Sequence, residues 1–357
     1  MFKGILAAPL SWMYGLAVNI RHKLFDWGIY RSEEFDIRIV CVGNLTVGGT
    51  GKTPHTEMLV RHFSREYNVA VLSRGYKRRT RGFVLATPDM SYLKIGDEPK
   101  QIKLKFPHIP VAVCEKRAEG IRKLRKLHPE INLVILDDAF QHRHVEAWVN
   151  VLLMDYHQPV YRDKFLPLGR LRDSVKQMDR AQFVVVTKCP DSVKPIDYRV
   201  VSNELHLYPY QSLYFSHFRP GEPVPLFPDM ERCKPVPGQH VIGLAGIANP
   251  KSFFAGLGER FDVVKTMVYP DHHSYKVRDL ERLKSALAVS PKNTLVMMTE
   301  KDAVKLTNRK KIPPSLQRKL YYIPVEVEFA EGSEGEFHRQ IDQYVRTNQK
   351  YSILHPE

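Results

Sequence analysis

A glycine-rich stretch between a strand and a helix is the feature that most constrains this chain. Ile39 to Val42 is a short β-branched run of the kind found in buried parallel strands. The chain then reads Gly-Asn-Leu-Thr-Val-Gly-Gly-Thr-Gly-Lys-Thr-Pro and continues with a helical pattern through Met58, Leu59 and Phe63. Strand, glycine loop, Lys-Thr and helix together are the arrangement that a phosphate-binding loop requires.

This loop predicts a site for the phosphates of a nucleotide. Glycines allow backbone N–H groups to close around phosphate oxygens, and the N-terminus of the following helix adds positive potential. We expect Lys52 to bridge the β- and γ-phosphates of the nucleotide and the Thr53 hydroxyl to ligate Mg²⁺. The competing interpretation is a chance glycine-rich turn, and Thr46 stands where the standard pattern has a glycine. The predicted nucleotide-binding residues are Thr46, Gly48, Gly49, Thr50, Gly51, Lys52 and Thr53.

A second apolar strand predicts the metal side of the same site. Residues 131–136 read Ile-Asn-Leu-Val-Ile-Leu and lead into Asp137 and Asp138. A carboxylate at the carboxyl end of a strand can reach the Mg²⁺ near a phosphate loop, although an aspartate there also commonly begins a turn. Because this strand follows a phosphate loop, we predict that a carboxylate of this pair lies near the metal. Gln141 and His142 come directly afterwards and place an amide and an imidazole beside the same crevice.

Further polar clusters follow predicted strands or lie in predicted loops. Each cluster alone has a simpler interpretation as a solvated surface or a turn. His272 and His273 are adjacent, so their rings point in different directions, and no third ligand stands at metal spacing, which argues against a metal site. The clusters are Ser73-Arg74-Gly75-Tyr76, Gly96-Asp97-Glu98-Pro99, Glu115-Lys116-Arg117, Pro167-Leu168-Gly169-Arg170-Leu171-Arg172-Asp173 and Asp271-His272-His273-Ser274-Tyr275.

The balance of charge indicates a partner that carries phosphates. The formal net charge is +15, while 43% hydrophobic and 26% charged residues fit a globular protein. A basic excess suits nucleic acid, anionic lipid or a phosphorylated substrate, and it also serves solubility. The basic residues are spread along the chain without an aromatic platform for single strands, so we predict no nucleic-acid partner. The wide spacing of the cysteines argues against a structural zinc site or a disulfide scaffold. They are Cys41, Cys114, Cys189 and Cys233.

The amino-terminal residues 1–30 combine an apolar run with basic flanks. The run at 5–18 is shorter than the roughly 20 residues that a spanning helix needs. A signal peptide is disfavoured because no convincing small-residue cleavage site follows, and a core helix of the domain is a further alternative. We favour a helix that lies in the membrane interface, where aromatic rings with one polar end are stable. The residues that suit this position are Trp12, Tyr14, Trp27 and Tyr30.

Taken together and in this order, the motifs resemble those of one family, the tetraacyldisaccharide 4'-kinases. The matching elements are the phosphate loop, Ser-Arg-Gly-Tyr, Gly-Asp-Glu-Pro, Asp-Asp-Ala-Phe-Gln-His, Pro-Leu-Gly-Arg-Leu-Arg-Asp, Asp-His-His-Ser-Tyr and, at 299–302, Thr-Glu-Lys-Asp. The resemblance runs from the amino-terminal helix to about residue 330. The sequence departs from the family pattern at Asp173, where the family usually has Glu.

The resemblance implies transfer of the γ-phosphate of ATP to the 4'-hydroxyl of a tetraacylated glucosamine disaccharide 1-phosphate, in lipid A synthesis. It implies ATP and Mg²⁺ as cofactors, an acylated lipid acceptor and a peripheral position on the cytoplasmic face of the inner membrane. Asp97 and His272 would orient and deprotonate the sugar hydroxyl, and Arg172 would stabilise charge growing on the phosphoryl oxygens. His272 is chosen over His273 by motif position. The other implied residues are Glu98, near the metal with Asp137 and Asp138, and Arg74, Arg117, Gln141 and His142, near the disaccharide and its 1-phosphate.

Strand and helix patterns alternate along the chain. They predict an α/β fold with a P-loop NTPase-type parallel sheet flanked by helices, and a second, smaller α/β domain. We place the membrane-interfacial helix region at 1–30, the P-loop kinase domain at 31–205 and the smaller domain at 237–357. Residues 206–236, rich in aromatic residues and proline, are predicted to be a linker with the potential to form a hairpin. Since Asp97 and His272 fall in different domains, we expect domain closure to complete the site.

The leading alternative is a membrane-associated P-loop ATPase or GTPase switch. Specific binding of guanine favours an Asn-Lys-x-Asp element, and the nearest candidate is Thr187-Lys188-Cys189-Pro190. Proline replaces the needed carboxylate there, which disfavours GTP. A switch would also hydrolyse nucleotide with a protein partner and without a lipid acceptor.

Overall fold

A computed structural model describes residues 2–229, 234–308 and 312–347 of the chain. The strands are β1 Arg38–Asn44, β2 Val69–Ser73, β3 Val84–Leu85, β4 Val111–Val113, β5 Leu133–Asp137, β6 Val149–Asp155, β7 Phe183–Thr187, β8 Ser212–Pro220, β9 Val224–Pro225, β10 His240–Ala245, β11 Asp262–Val268, β12 Leu295–Thr299, β13 Leu320–Ile323 and β14 Val325–Phe329. The helices are α1 Phe2–Asp26, α2 Lys52–Phe63, α3 Tyr92–Ile95, α4 Asp97–Lys105, α5 Arg117–Leu127, α6 Pro195–Leu205, α7 Lys251–Arg260, α8 Val277–Ala288, α9 Glu300–Ala303, α10 Pro314–Gln317 and α11 Glu334–Thr347.

The larger sheet of the described residues has nine strands in the order β14-β8-β7-β6-β1-β5-β2-β4-β3. Neighbouring strands from β8 to β4 run parallel, whereas β14 and β3 pair antiparallel at the two edges. The inner strands are almost entirely buried, as a sheet covered by helices on both faces requires. Parallel strands deliver their carboxyl ends to one edge, so Asn44, Asp137 and Thr187 arrive on the same side of the sheet.

A smaller sheet of five strands, ordered β11-β10-β12-β13-β9 in the described part of the chain, forms a second unit with its own apolar core. Its strands are parallel except for β9, which pairs antiparallel with β13. The predicted α/β fold with a second, smaller α/β unit is therefore confirmed.

Two segments belong to a different part of the fold from the one that the predicted domain limits assign to them. Residues 206–236 were expected to be a linker, but β8 from this segment pairs with β7 and β14 inside the larger sheet. In β8, Tyr214 and Ser216 are buried, while the prolines that suggested a linker cluster from Pro220 onward, where the strand ends because proline lacks a ladder donor. At the other end, β14 and α11 leave the smaller unit and return to the larger sheet, where Phe337 and its neighbours join the core.

Helix α1 presents two different faces. One face packs on the larger domain: Ser11 Oγ donates to the carbonyl of Phe165 at 2.7 Å, and His22 and Phe25 are buried. Tyr14, expected at a membrane interface, instead donates its hydroxyl to the carbonyl of Arg172 at 3.0 Å. The opposite side, the outer face of α1, exposes a row of large apolar side chains. They are Leu10, Trp12, Met13, Leu16 and Ile20.

None of the helices in the described ranges is both long and apolar enough to cross a membrane. Cys41, Cys114 and Cys189 are free and buried, whereas Cys233 lies outside the described residues.

Candidate active site

The phosphate loop joins the end of β1 to the start of α2 through two glycines in the left-handed region. Gly48 has φ +106 and Gly51, the residue before α2, has φ +84, conformations that other residues adopt only with strain. A Cβ atom at Gly51 would lie 2.1 Å from Cζ of Phe218, so the ring occupies the space of a side chain. The glycines at these two positions are therefore required by backbone conformation and by close packing.

Buried polar groups fix the loop from behind. Thr187 Oγ1, at the end of β7, donates to the carbonyl of Thr50 at 2.9 Å. His55 lies 2.8 Å through Nδ1 from the carbonyl of Gly51 and 3.1 Å through Nε2 from Ser216 Oγ. Burial lowers the pKa of His55 to about 4, so the ring is neutral and can donate at Nδ1 while accepting at Nε2. The hydroxyl oxygen of Thr50 is buried without a partner.

A cluster of opposite charges lies beside the loop. Lys52 Nζ is 3.7 Å from Asp138 Oδ1 and 3.5 Å from Asn44 Oδ1. Arg172 donates through Nη2 to Asn44 Oδ1 at 2.6 Å and to the carboxylate of Asp138. Burial alone would raise the pKa of Asp138, but the charges of Lys52 and Arg172 hold it below its ordinary value. Asp138 is thus kept ionised between two cations.

Asp137 has a contrasting environment. It is fully buried, and only one of its oxygens is bonded, because Oδ1 accepts from Thr56 Oγ1 at 3.0 Å while Oδ2 has no partner. Burial and the neighbouring charges of Glu98 and Asp138 raise the pKa of Asp137 to about 7, against the opposing charge of Lys52. An unpartnered buried carboxylate oxygen among like charges is the environment that a bound cation relieves.

These residues fit a magnesium–nucleotide complex rather than a metal site built from protein alone. Within the described residues, no group of three or more His, Cys, Asp or Glu side chains could hold a metal ion. Mg²⁺ commonly takes one or two carboxylates and completes its shell with water and substrate phosphates. Asp137, Asp138 and Thr53 provide oxygen donors of the right kind, and the buried hydroxyl of Thr50 and Oδ2 of Asp137 remain available.

The pair Asp97–His272 joins the two units of the chain. Asp97 is the first residue of α4, and its Oδ2 lies 2.9 Å from Nδ1 of His272, which follows β11 of the smaller sheet. Burial raises the pKa of Asp97, but the hydrogen bond and charge of His272, with Lys301 and Lys305, lower it to about 2. His273 points elsewhere, with Nε2 at 3.0 Å from Asp279 Oδ2.

Among the residues predicted to contact the disaccharide, Arg117, Gln141 and His142 have polar atoms that are already engaged within the protein. Arg117 is 2% exposed and donates to the carbonyls of Cys114 and Glu115. Its backbone N–H donates to Nε2 of His142, and burial, with the charge of Arg117, lowers the pKa of His142 to about 4. Gln141 Nε2 donates to the carbonyl of Asn44 at 2.6 Å. Arg74, by contrast, is exposed.

Sequence reasoning missed several residues that shape the site. Asn44 stands within the recognised motif, yet nothing in its type indicated that it would accept from both Lys52 and Arg172. The departure at Asp173 also has a definite role, since Oδ1 lies 2.5 Å from Nε2 of His22 on α1. These contacts arise where distant segments pack together. The position of Asn44 inside the motif was the one feature of the sequence that could have indicated its role.

Comparisons with known proteins identify the family and match the fold. The sequence model of the family described as LpxK, tetraacyldisaccharide-1-P 4'-kinase, matches residues 4–346. The tetraacyldisaccharide 4'-kinase of Bacteroides thetaiotaomicron is 43% identical over 356 residues, covering 96% of this chain and 94% of that protein. The enzyme of the same name from Phocaeicola vulgatus is 44% identical and covers 96% of each chain. A crystal structure of LpxK from Aquifex aeolicus, described as an apo form in complex with ATP, has the same fold with a TM-score of 0.76 at 24% identity, covering 97% of this chain and 100% of that one. The chain belongs to the tetraacyldisaccharide-1-P 4'-kinase family.

Proposed function

We propose that the chain transfers the γ-phosphate of ATP to the 4'-hydroxyl of a tetraacylated disaccharide 1-phosphate by means of Mg²⁺, the phosphate loop and the Asp97–His272 pair, at a membrane surface. Membership of the family makes the chain a tetraacyldisaccharide 4'-kinase, an ATP-dependent lipid kinase of lipid A biosynthesis. The residue roles, the metal and the membrane position are the part proposed here. The observation that supports the residue roles is the 2.9 Å contact of Asp97 with His272. Glu98, the next residue after Asp97, is close enough to Asp137 for its charge to raise the pKa of that carboxyl group.

The phosphate loop and the two aspartates would bind the nucleotide and its metal ion. In P-loop kinases Mg²⁺ neutralises charge between the β- and γ-phosphates, which is the chemistry it would supply here. Asp137, Asp138 and Thr53 would hold the ion, with Glu98 close by. Thr46, Gly48, Gly49, Thr50 and Gly51 would surround the phosphates together with Lys52.

The Asp97–His272 pair accounts for activation of the acceptor. A sugar hydroxyl is a weak nucleophile at neutral pH and gains from a positioned base. Asp97, with its pKa of about 2, stays ionised, and its Oδ2 accepts a hydrogen bond from the Nδ1–H of His272. That bond fixes the tautomer, so Nε2 is the atom that takes the proton of the hydroxyl.

Arg172 would stabilise the negative charge on the phosphoryl group during transfer. Its guanidinium lies between Asn44 and Asp138 at the edge of the phosphate loop. Developing charge on the phosphoryl oxygens is stabilised by such a preorganised cation. Arg74, Arg117, Gln141 and His142 remain candidates for the disaccharide and its 1-phosphate. The engaged polar atoms of Arg117 and Gln141 favour a role in shaping that subsite, and the exposed Arg74 is the candidate for direct contact.

The outer face of α1 supports a peripheral position on the cytoplasmic side of the inner membrane. Trp12 and Met13 are 69% and 60% exposed, and large apolar side chains of this kind favour the headgroup region. The other face of α1 reaches the site, since Arg21 Nη2 donates to the carbonyl of Gln141 at 2.8 Å. A helix so placed would bring the acyl chains of the acceptor beside the transfer chemistry, and the net charge of +15 suits an anionic surface.

The reaction is tested by incubating purified protein in detergent micelles with γ-labelled ATP, Mg²⁺ and tetraacyldisaccharide 1-phosphate. We expect label on the lipid at the 4' position, and we expect an Asp97→Ala variant to lose about 10²- to 10⁴-fold in rate, because His272 then lacks the partner that makes it an effective general base. ATP hydrolysis without labelled lipid would instead support a membrane-associated ATPase switch.

The membrane position is tested by co-sedimentation with vesicles of phosphatidylglycerol and phosphatidylethanolamine. A double substitution on the outer face of α1, Met13→Glu with Ile20→Glu, should release most of the protein from the vesicles. Val289→Glu is the matched control, because Val289 is 86% exposed and lies in the smaller unit. Equal binding by all three proteins would reject the interfacial role of α1.

A further inference from the structure

The short segment Thr299-Glu300-Lys301-Asp302 has no part in the mechanism above, yet it connects the two units of the chain. It begins α9 of the smaller unit, and two of its side chains reach α4 of the larger one. Glu300 Oε1 lies 3.0 Å from Lys105 Nζ, and Lys301 Nζ lies 3.6 Å from Glu98 Oε1. Each of the two contacts pairs a carboxylate with an ammonium group, so the charges on α9 and α4 are complementary.

The two contacts hold α4 near its opposite ends. Glu98 is in the first turn of α4 and Lys105 is its last residue, so the contacts are about 10 Å apart along the helix axis. Two points of attachment restrict both the sliding and the tilt of α4 against α9. Asp97, the first residue of α4, is therefore placed by this attachment as well as by its own bond to His272.

The α9 side of the attachment is fixed within the smaller unit. Asp302 Oδ2 accepts from the backbone N–H of Gly246 at 2.8 Å and from Thr299 Oγ1 at 2.6 Å. The loop that carries His272 packs on the same point, because a Cβ atom at Gly246 would meet Pro270 and Tyr275 as well as Asp302. Helix α9 and the His272 loop thus share one framework.

The larger unit continues the same connection toward the phosphate loop. Lys105 Nζ also bonds Glu57 Oε2 at 2.6 Å, and Glu57 is on α2, the helix that begins with Lys52. The side chains of Lys105 and Glu300 are only 19% and 9% exposed, so these ions are partly shielded from solvent. Desolvated pairs of this kind are often close to neutral in net stability, and their best-attested use is to specify one arrangement over others.

We propose that Glu300 and Lys301 are positioning residues for the transfer step, which set the two units at the separation where Asp97 and His272 meet. The proposal rests on the function proposed above, since it assigns these residues an effect through that pair. The hydrogen bonds that join the His272 loop to the larger unit, between Asp97 and His272 and between Tyr92 and Ser274, are partly exposed and hold two domains weakly. Displacement of a reacting group by about 1 Å can cost on the order of 100-fold in rate.

The test is a double-mutant cycle in the lipid-transfer assay. Glu300→Gln removes one attachment and Lys301→Met removes the other, and each is measured alone and combined with His272→Ala. We expect each single variant to lower kcat by about tenfold with the KM for ATP within about twofold of wild type. In the His272→Ala background the same substitutions should cost nothing further, because residues acting through one pair are not additive. Lys301→Arg should restore most of the lost rate.

Lys103→Met is the matched control. Lys103 is also on α4, but its ammonium group donates to the carbonyls of Pro107 and Ile109 within the larger unit. We expect this variant to lower the thermal midpoint and leave kcat at 25 °C nearly unchanged. Thermal midpoints are measured for every variant, so that partial unfolding is separated from misplacement.

Two results would overturn the proposal: kcat within about twofold of wild type in both variants, or equal losses in the presence and absence of His272. A His272→Ala variant that keeps the wild-type kcat would reject the base assignment, and this inference would fall with it. If Glu300→Gln and Lys301→Met keep the wild-type kcat while His272→Ala is slow, only the positioning role is rejected.

Discussion

The phosphate loop and the His272 loop meet at one site but are stabilised in different ways. The phosphate loop lies between consecutive elements, β1 and α2, and is fixed by backbone conformation, the Phe218 ring and the buried Thr187 hydroxyl. The His272 loop belongs to the other unit and reaches Asp97 through one side-chain contact across 175 positions of sequence. Under the proposed roles, the first region should bind phosphate without the second, whereas the second should function only when the two units are correctly placed.

This difference separates binding from turnover. Substitutions in the phosphate loop should weaken the nucleotide complex itself, because in the proposed function the loop provides the donors for the phosphates. Substitutions at the Asp97–His272 pair should leave nucleotide binding intact and slow the transfer. Two predictions test that division directly, and two with smaller expected effects test how the regions are stabilised.

Lys52→Ala should produce the broadest loss, because it should weaken nucleotide binding as well as transfer. The ammonium group beside Asp138 is the cation of the phosphate loop, and removing a charged donor from such a site costs about 10²- to 10³-fold in transfer. We expect a lower kcat/KM together with a higher dissociation constant for ATP, measured by calorimetry in the absence of lipid. Wild-type affinity for ATP in this variant would show that the loop does not hold the phosphates.

His272→Ala should affect turnover alone. Loss of the base should lower kcat by about 10²- to 10⁴-fold while the dissociation constant for ATP stays within about twofold of wild type. His273→Ala is the matched control, since His273 contacts Asp279 and stacks on Tyr269 at 4.6 Å, so its loss should lower the thermal midpoint and spare kcat. If the His273 variant is the slower enzyme, the assignment of the base is wrong.

Gly51→Ala should destabilise the fold of the phosphate loop. The left-handed φ of +84 costs a residue with a Cβ atom about 1–2 kcal/mol, and contact with Phe218 adds to that cost. Gly49→Ala is the control, because a Cβ atom there would meet nothing within 4 Å. Urea unfolding should give a lower free energy of unfolding for the first variant and a small change for the second. Equal free energies in the two would contradict the packing described.

The smallest effect concerns Glu57, which connects the two regions through Lys105. Burial and the charge of Glu300 raise the pKa of Glu57 to about 7 from its ordinary value of 4.5, against the opposing charge of Lys105. The folded state therefore binds more protons than the unfolded chain between these values, so the stability of the fold falls as pH rises from about 4.5 to 7. Glu57→Gln should reduce this dependence, measured as the difference in free energy of unfolding between pH 5 and pH 8. A slope unchanged in the variant would show that Glu57 titrates near its ordinary value.

What could be predicted from sequence follows the same division. The phosphate loop and the Asp137–Asp138 strand end could be predicted because the residues that define them are contiguous and follow a strand-to-helix pattern. The limits of the larger sheet were not, because β8 and β14 join it by pairing that depends on distant partners. The prolines after β8 were misleading, since they mark the end of a strand as readily as a linker.

Partners of side chains were the least accessible from sequence. Asp97 and His272 were paired only through the family resemblance, and nothing in their spacing indicated a contact. The bonds of Arg117 to carbonyl oxygens and of Asp173 to His22 likewise arise from packing around buried charges. Such contacts satisfy buried polar groups, and residue type alone does not show which neighbour provides the partner.

The central claim is that the two units contribute one catalytic pair, and single-turnover transfer by Asp97→Ala, His272→Ala and the double variant tests it most directly. Groups that act as a unit are not additive, so the double variant should be no more than about twofold slower than the slower single variant. A double variant slower by the product of the two single losses would show that Asp97 and His272 act independently, and would contradict the account.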